Sequence, residues 1–260
     1  MKNMRGCDMD KQDCLQTWLH EEQNAHIKGW DFSHLSGRME EEMLPWDYPS
    51  VIRQYLTPEM DLLDIDTGGG EFLLSLGHPY GKTGATENYL PNVLLCEETL
   101  LSLGIDFKQA DGAGELPFAD ESFDMVINRH GDYEPSEIYR VLKPGGWFIT
   151  QQVGAENDRD LVQLLLNAVP EMPFPQQYLD IATEKFRKCG FTILRGQEAF
   201  PAVRFYDVGA LVWFAHIIQW EFPGFSVENS LDKLYGLQER LAMDGEICGT
   251  THRFLLVAKK

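Results

Sequence analysis

The sequence predicts an α/β fold with a doubly wound, mostly parallel sheet, and three observations lead to this prediction. The apolar segment 62–65 breaks into a glycine turn at 68–70 and restarts with a helical pattern at Glu71. Further strand-like segments follow at the spacing of alternating strands and helices. Several of them end in an acidic residue, at the edge where parallel sheets of this kind bind ligands. The fold class and the position of a ligand site are therefore predicted together.

The first predicted strand and its turn indicate what kind of ligand binds. The strand is apolar on both faces, as expected for a strand that is covered on both sides. Glycines at 68–70 let the backbone turn sharply and approach a ligand closely. A dinucleotide fingerprint would need a glycine three places after Gly70, where the chain has Leu73, so a pyrophosphate ligand is disfavoured. Asp64 and Asp66 would repel phosphates, so the turn favours a positively charged ligand.

The segments that follow repeat the pattern of a strand with polar residues at its end. Segment 83–87 ends in Glu87, whose carboxylate has the acceptor capacity to hold a vicinal diol in two hydrogen bonds. The remaining segments are 105–110 before Asp111 and Gly112, 122–128 ending at Asn128, and 138–149, which combines a helix, a glycine turn and a strand. Acids or glycines thus stand at successive strand ends, at a regular strand–helix spacing.

In this order, residues from about Asp61 to about Thr150 resemble the class I S-adenosylmethionine-dependent methyltransferases, in particular those of type 11. The stretch Asp64–Gly70 is similar to the family's first motif, D-x-G-x-G-x-G, with Asp66 at the place of the first glycine. The resemblance implies a Rossmann-like sheet of seven strands, in which the last strand, 252–258, runs antiparallel. It also implies an enzyme that uses S-adenosyl-L-methionine as its cofactor and transfers a methyl group.

The resemblance further implies which residues bind the cofactor. In the family, an acid at the place of Glu87 accepts hydrogen bonds from the ribose hydroxyls, and a pair at the place of Asp111 and Gly112 reaches the adenine edge. The residues expected to bind the cofactor are Asp64, Asp66, Gly68, Gly70, Glu87, Asn88, Asp111, Gly112 and Asn128.

Two parts of the chain lie outside this pattern. Residues 1–59 precede it and are helical in pattern from about Gln12 to Ile27, so we predict an N-terminal helical lid or extension. Residues 60–260 are predicted to form the methyltransferase domain. Within them, an insert at about 201–249 separates the last two strands. Its length and aromatic residues fit either a wall of a substrate pocket or a dimer surface.

Charge and composition narrow the choice of partners. The net charge of −19 over 260 residues repels polyanions, so a nucleic-acid partner is disfavoured. The first residues lack the apolar run of a signal peptide, and no apolar segment is long enough to cross a bilayer, so we expect a cytoplasmic protein without membrane contact. Five scattered cysteines suit a reducing compartment, and no short cysteine or histidine spacing indicates a metal site. A monomer and a homodimer both remain open.

A catalytic base is needed only if the methyl acceptor must lose a proton, and the sequence offers two candidates for that role. Methyl transfer is an in-line displacement, which requires alignment of the acceptor atom and exclusion of water. Histidine is the usual base near neutral pH. His130, just beyond the strand 122–128, is the first candidate, and His34 in the N-terminal part is the second. The alternative for His130 is a structural or exposed loop residue.

Four further side chains are candidates for substrate binding. Arg129, Arg38 and Arg204 could each hold a substrate carboxylate through two parallel hydrogen bonds, or each could pair with an acid of this acidic surface. Trp46 could line the substrate pocket, or it could serve ordinary packing.

Three functions are open from the sequence. The first is methylation of a small-molecule acceptor, which the aromatic insert and the acidic charge favour. The second is methylation of RNA or protein, which an open cleft with a basic groove would indicate. The third is a regulatory module that binds S-adenosylmethionine without catalysis.

Overall fold

Ten strands and nine α-helices occur in residues 11–27 and 31–260, the part of the chain that a computed structural model of the protein describes. The strands are β1 (Met39–Glu41), β2 (Leu62–Ile65), β3 (Thr83–Glu87), β4 (Asp106–Gln109), β5 (Phe123–Arg129), β6 (Leu142–Val153), β7 (Thr192–Ala199), β8 (Ala202–Phe205), β9 (Ile247–Thr250) and β10 (Arg253–Lys259). The helices are α1 (Lys11–Gln23), α2 (Tyr48–Arg53), α3 (Glu71–Ser75), α4 (Leu90–Leu103), α5 (Pro135–Val141), α6 (Arg159–Leu165), α7 (Leu179–Lys188), α8 (Val208–Ile217) and α9 (Leu231–Asp244).

The chain divides into two compact units. The first unit consists of the described residues of Met1–Met43 together with Ala155–Pro175 and Phe200–His252. The second unit consists of Leu44–Gly154, Gln176–Ala199 and Arg253–Lys260. The predicted insert at 201–249 lies in the first unit, whereas the predicted N-terminal part, 1–59, contributes to both. Residues 1–10 and 28–30 of that part lie outside the described residues, and its role as a lid stays a prediction.

The second unit contains the predicted seven-stranded sheet, in the order β4-β3-β2-β5-β6-β10-β7. Strands β4, β3, β2, β5 and β6 run parallel to their neighbours, and β10 runs antiparallel to both β6 and β7. The predicted fold class, a doubly wound and mostly parallel sheet with an antiparallel last strand, is confirmed. The strand order reverses at β2, and in such sheets ligands bind beside the carboxyl ends of the strands at this point.

The central strand β2 is buried on both faces, as its apolar sequence predicts. Leu62 packs in one core cluster with Val93, whereas Leu63 packs in another with Phe148. Because successive side chains of a strand point to opposite faces, these two clusters are the cores on the two sides of the sheet.

The first unit has its own core and a small antiparallel sheet in the order β1-β8-β9. Helix α8 contributes most of its length to that core, since seven of its ten residues are buried. Asp207 caps this helix by accepting a hydrogen bond from the backbone of Ala210, at 2.7 Å. The sequence predicts an insert here but not this sheet.

Further findings concern a predicted turn, the absence of a membrane-spanning helix in the described residues, and the cysteines. The glycine turn predicted within 138–149 is part of β6, which begins at Leu142 and has Gly145 at a φ of 79°. In the ranges 11–27 and 31–260, no helix combines the length and the apolar character that a membrane span requires. Cys96, Cys189 and Cys248 are free thiols.

We predict that Phe148→Ala lowers the free energy of unfolding by about 3 to 5 kcal/mol, because a fully buried aromatic side chain leaves a cavity. The Phe148 ring stacks on Phe186 with their centroids 4.8 Å apart, so neighbouring atoms cannot close the gap easily. Urea unfolding measures the change. Phe174→Ala is the control, since Phe174 is 46% exposed and should cost less than 1 kcal/mol. Equal losses for both variants would contradict this description of the core.

Candidate cofactor site

Loops that follow β2, β3, β4 and β5 meet at one edge of the sheet in the second unit. Two backbone bonds connect these loops to β3: Thr67 N, after β2, donates to Thr86 O at 2.9 Å, and Ala110 N, after β4, donates to Glu87 O at 3.2 Å. Gly112 lies against the backbone oxygen of Asp132, where an added Cβ would clash. We call this meeting point of the four loops the edge site.

The edge site brings together most of the residues that the sequence predicts to bind a cofactor. Asp64 is the residue before the last one of β2, Asp66 and Gly68 follow the strand, and Gly70 precedes α3. Gly68 and Gly70 have φ values of 65° and 86°, which glycine adopts without strain. Asp66 has a φ of 54°, so the residue that departs from the family's motif still adopts a left-handed backbone, which aspartate tolerates better than most residues.

The Glu87 carboxylate ties the glycine turn to the end of β3. Its Oε2 accepts a hydrogen bond from Gly68 N at 2.8 Å, and its Oε1 accepts from Asn88 N at 2.9 Å and from Tyr89 N at 2.8 Å. Asn92 adds a long contact of 3.5 Å to Oε2. A carboxylate can accept about four hydrogen bonds, and the three short bonds leave one of these positions open. The two hydroxyls of a ribose diol would therefore use that open position and one that a backbone amide already occupies. The sequence does not predict that Glu87 also holds the turn.

Asp64 and Asp66 carry raised pKa values. Burial raises the pKa of Asp64 to about 7, although hydrogen bonding by Thr67 and the positive charge of Arg129 act in the opposite direction. Burial and the negative charge of Glu87 raise the pKa of Asp66 to about 7, although Asp132 N donates a hydrogen bond to it at 2.8 Å. Buried carboxylates without a full complement of partners are costly to ionise. A cationic ligand would lower that cost, which agrees with the ligand charge predicted from the sequence.

Asp111 and Asn128 complete the edge site. Asp111 is exposed and accepts a hydrogen bond from Ala113 N at 2.9 Å in its own loop. Asn128 is fully buried at the end of β5, and its Nδ2 donates to Ile65 O at 2.9 Å. Asn128 therefore fixes β5 to β2 at the edge site. This structural role of its side chain stands beside the role in cofactor binding that the sequence predicts.

His130 is at the start of the loop after β5, with a φ of 61°. Its backbone N donates to Gln151 O at 2.9 Å, and its ring Nε2 is 3.1 Å from Nε2 of Gln151. Part of the residue is exposed to solvent. Desolvation by the surrounding protein, together with the positive charges of Arg253 and Arg129, nevertheless holds the pKa of the His130 ring well below its usual value. The imidazole is therefore neutral near pH 7, as a general base must be.

Two other predicted substrate-binding residues lie in the second unit. The Arg129 guanidinium is 4.4 Å from the centroid of the Phe72 ring, and the residue is exposed. Trp46 is 7% exposed, and its Nε1 donates to Gln151 Oε1 at 2.8 Å. The structure thus groups Arg129, His130 and Trp46 around Gln151, which the sequence does not single out.

The remaining predicted residues lie in the first unit and are engaged in ion pairs. Arg38 donates to both carboxylate oxygens of Asp207, at 2.9 and 2.7 Å, and contacts Glu21 at 2.8 Å. His34 Nε2 is 2.8 Å from a Glu21 oxygen. Arg204 is 3.5 Å from Glu246. Ion pairing, the alternative that the sequence left open for the arginines, is what the structure shows for Arg38 and Arg204, and their substrate role stays a prediction.

The edge site fits an adenosyl cofactor by the chemistry of its side chains. Gly112 and Gly131 pack against Asp132 and Asp66, which brings the loops of the site together. The charges are negative, and they suit the ammonium and sulfonium groups of S-adenosylmethionine. In the described residues, no three or more histidine, cysteine, aspartate or glutamate side chains form a metal-binding group. The predicted absence of a metal stays a prediction.

Comparisons with known proteins agree with the fold and with the position of the edge site. Residues 63–150 match a family described as "Methyltransferase domain". A candidate methyltransferase from Bacillus halodurans C-125 has the same fold, with a TM-score of 0.54 at 17% identity, over 82% of this chain and 98% of that one. Residues 63–150 are therefore similar to a methyltransferase domain, and the chain shares its fold with a candidate methyltransferase of known structure.

Two relatives have names that state an acceptor. The phthiotriol/phenolphthiotriol dimycocerosates methyltransferase of Mycobacterium tuberculosis is 32% identical over 120 residues, which are 44% of each chain. The fatty-acid O-methyltransferase of Mycolicibacterium smegmatis is 34% identical over 138 residues, or 50% of this chain and 46% of the relative. The matched region thus spans less than half of the length of either relative.

We predict that Asp66→Asn raises the free energy of unfolding at pH 8 by about 1 to 3 kcal/mol, and by much less at pH 4.5. The folded state raises the pKa of Asp66 from 3.8 to about 7, so it keeps a proton that the unfolded chain releases. This residue therefore costs stability progressively as the pH rises from about 4 to 7, and asparagine removes that cost.

Urea unfolding of both proteins at the two pH values measures this difference. Glu98→Gln is the control, because Glu98 is exposed on α4. A gain in stability that is equal at both pH values would contradict the assignment of a raised pKa to Asp66.

Proposed function

We propose that the protein transfers a methyl group from S-adenosyl-L-methionine to a small-molecule acceptor. The observation that carries this proposal is the convergence of Asp64, Asp66 and Glu87 beside the glycine turn, because it places three carboxyl groups, two of them costly to ionise without a cationic partner, at a strand edge that binds ligands. The bound cofactor supplies an electrophilic methyl group.

The cofactor would be held by the nine residues predicted from the sequence. We infer that Glu87 and Asp111 bind the adenosyl part and that the acids of the glycine turn bind the cationic part. The chain's own contribution to catalysis is to orient the acceptor atom and to exclude water, since displacement at a sulfonium methyl group requires little more.

The acceptor class is supported by charge and by the relatives. A net charge of −19 disfavours a polyanionic acceptor such as RNA. One of the relatives is named for a fatty acid and the other for phthiotriol and phenolphthiotriol dimycocerosates, which are small molecules in comparison with a protein or an RNA. A small apolar or amphipathic molecule is therefore the acceptor that we propose for this protein.

We predict that S-adenosylmethionine and its demethylated product S-adenosylhomocysteine raise the melting temperature. A ligand that binds only the folded state at 100 times its Kd stabilises by about 2.7 kcal/mol, which is a rise of several degrees for a chain of this size. Differential scanning fluorimetry at millimolar ligand measures the rise, with ATP as the control. No rise with either adenosyl ligand would count against the proposed function.

We predict that Glu87→Ala weakens binding of S-adenosylhomocysteine by about 1 to 3 kcal/mol, because it removes charge-assisted hydrogen bonds and releases the glycine turn. Isothermal titration calorimetry measures the change. Glu98→Ala removes an exposed carboxylate of the same type from α4 and should leave the affinity unchanged. Unchanged affinity in Glu87→Ala would show that this carboxylate serves the fold alone.

Turnover distinguishes the enzyme from a regulatory module. The protein is incubated with S-adenosylmethionine that carries a labelled methyl group and with panels of fatty acids, phenols and amines. Transfer of label to one panel supports the proposal. Binding without transfer to any panel would favour the regulatory module instead.

A further inference from the structure

A chain of hydrogen bonds fixes which nitrogen of His130 carries the proton. Trp46 Nε1, which can only donate, lies 2.8 Å from Gln151 Oε1. This bond determines the orientation of the Gln151 amide, so its NH2 group faces the His130 ring at 3.1 Å. An NH2 group can only donate, and His130 Nε2 must therefore accept. In the neutral ring, the proton is then on Nδ1.

Two features keep this arrangement in place. Trp46 and Gln151 are 7% and 8% exposed, so water does not compete freely for their bond. The backbone of His130 also donates to Gln151 O at 2.9 Å, which holds the ring next to the amide.

In the ranges 11–27 and 31–260, the structure has no hydrogen bond to Nδ1 of His130, and the residue has an exposed surface. The Nδ1 proton is therefore available to a ligand.

This tautomer makes His130 a hydrogen-bond donor and not a base. A base needs an available lone pair, and the Nε2 lone pair is used by Gln151. The positive charge of Arg129 acts on the same ring, and it favours an anionic partner for this donor over a cationic one. His130 belongs to the same loop as Asp132, whose backbone N binds Asp66, so the donor lies next to the edge site.

We propose that the methyl acceptor is a carboxylate, that His130 Nδ1 donates a hydrogen bond to it, and that Trp46 and Gln151 are positioning residues for that donor. The proposal rests on the proposed function, and it replaces the role of base predicted for His130. A carboxylate needs no base, because an oxygen lone pair forms the bond to the methyl carbon while the electron pair of the broken carbon–sulfur bond remains on sulfur. No proton moves in this step.

The tautomer is measured directly by NMR of the full-length protein with 15N-labelled histidine. The His130 signals are identified by their loss in His130→Asn. We expect the Nδ1–H form in the unliganded protein. In Gln151→Glu, a carboxylate faces the ring and accepts from Nε2, so we expect the Nε2–H form, which leaves no proton on Nδ1. An Nε2–H form in the unaltered protein would overturn the proposal.

The donor role is measured with acetate as the smallest carboxylate probe and acetamide as its neutral control. We expect acetate to shift the His130 Nδ1 signal, acetamide not to, and Gln151→Glu to weaken the acetate response about fivefold or more. Equal responses to both probes, or no loss in the variant, would overturn the proposal. Trp46→Phe serves as a second variant if circular dichroism shows that Gln151→Glu does not fold, and we expect it to mix the two tautomers.

Failure of this proposal is distinguishable from failure of the proposed function. Binding of S-adenosylhomocysteine, measured by calorimetry on the same samples, does not require a particular His130 tautomer. Cofactor binding with the Nε2–H form would overturn the carboxylate proposal alone. Absence of cofactor binding would overturn the proposed function whatever the tautomer.

Discussion

The arrangement of the edge site depends on one carboxylate that accepts three backbone hydrogen bonds. Glu87 binds Gly68 N in the glycine turn and the two amides that follow Glu87 itself. Charge-assisted bonds of this kind are stronger than neutral ones, and they fix the distance between β2 and β3 at their carboxyl ends. The close contacts at Gly112 and Gly131 then align the loops after β4 and β5 with the same turn.

The second constraint is electrostatic. Asp64 and Asp66 are partly or fully buried next to Glu87, and both have pKa values of about 7. The folded protein therefore holds two carboxyl groups that are costly to ionise without a partner. Such a cost is common at functional sites, where the ligand supplies the missing partner. A positively charged ligand would recover the cost, whereas a phosphate-bearing dinucleotide would increase it.

Local sequence features predict the sheet well, because its strands have strong local signals. The apolar residues of β2 and the acid that ends β3 each indicate a strand end before any contact is known. The small sheet of the first unit has no comparable signal, since β1 has three residues and pairs with β8 more than 160 residues later in the chain. Partner choice of this kind depends on tertiary packing and not on periodicity.

The site shows the same division between local and distant information. The glycines and acids of 64–70 follow from one motif, and the structure places them at one edge of the sheet. The bonds of Glu87 to the turn, and the partners of His130, were not predictable, because Gln151 lies on the neighbouring strand β6 and Trp46 lies 105 residues away from it. A histidine near a strand end suggests a base from its position alone, whereas its role depends on which nitrogen is already bonded. Arg38 is a further example, since its partner Asp207 lies 169 residues away in the chain.

A crystal structure with S-adenosylhomocysteine tests the central claim most directly. The account predicts that the ribose hydroxyls lie within hydrogen-bonding distance of the Glu87 carboxylate and that the amino group of the ligand lies next to the acids of the glycine turn. A ligand bound elsewhere, or a ribose that makes no contact with Glu87, would contradict the account.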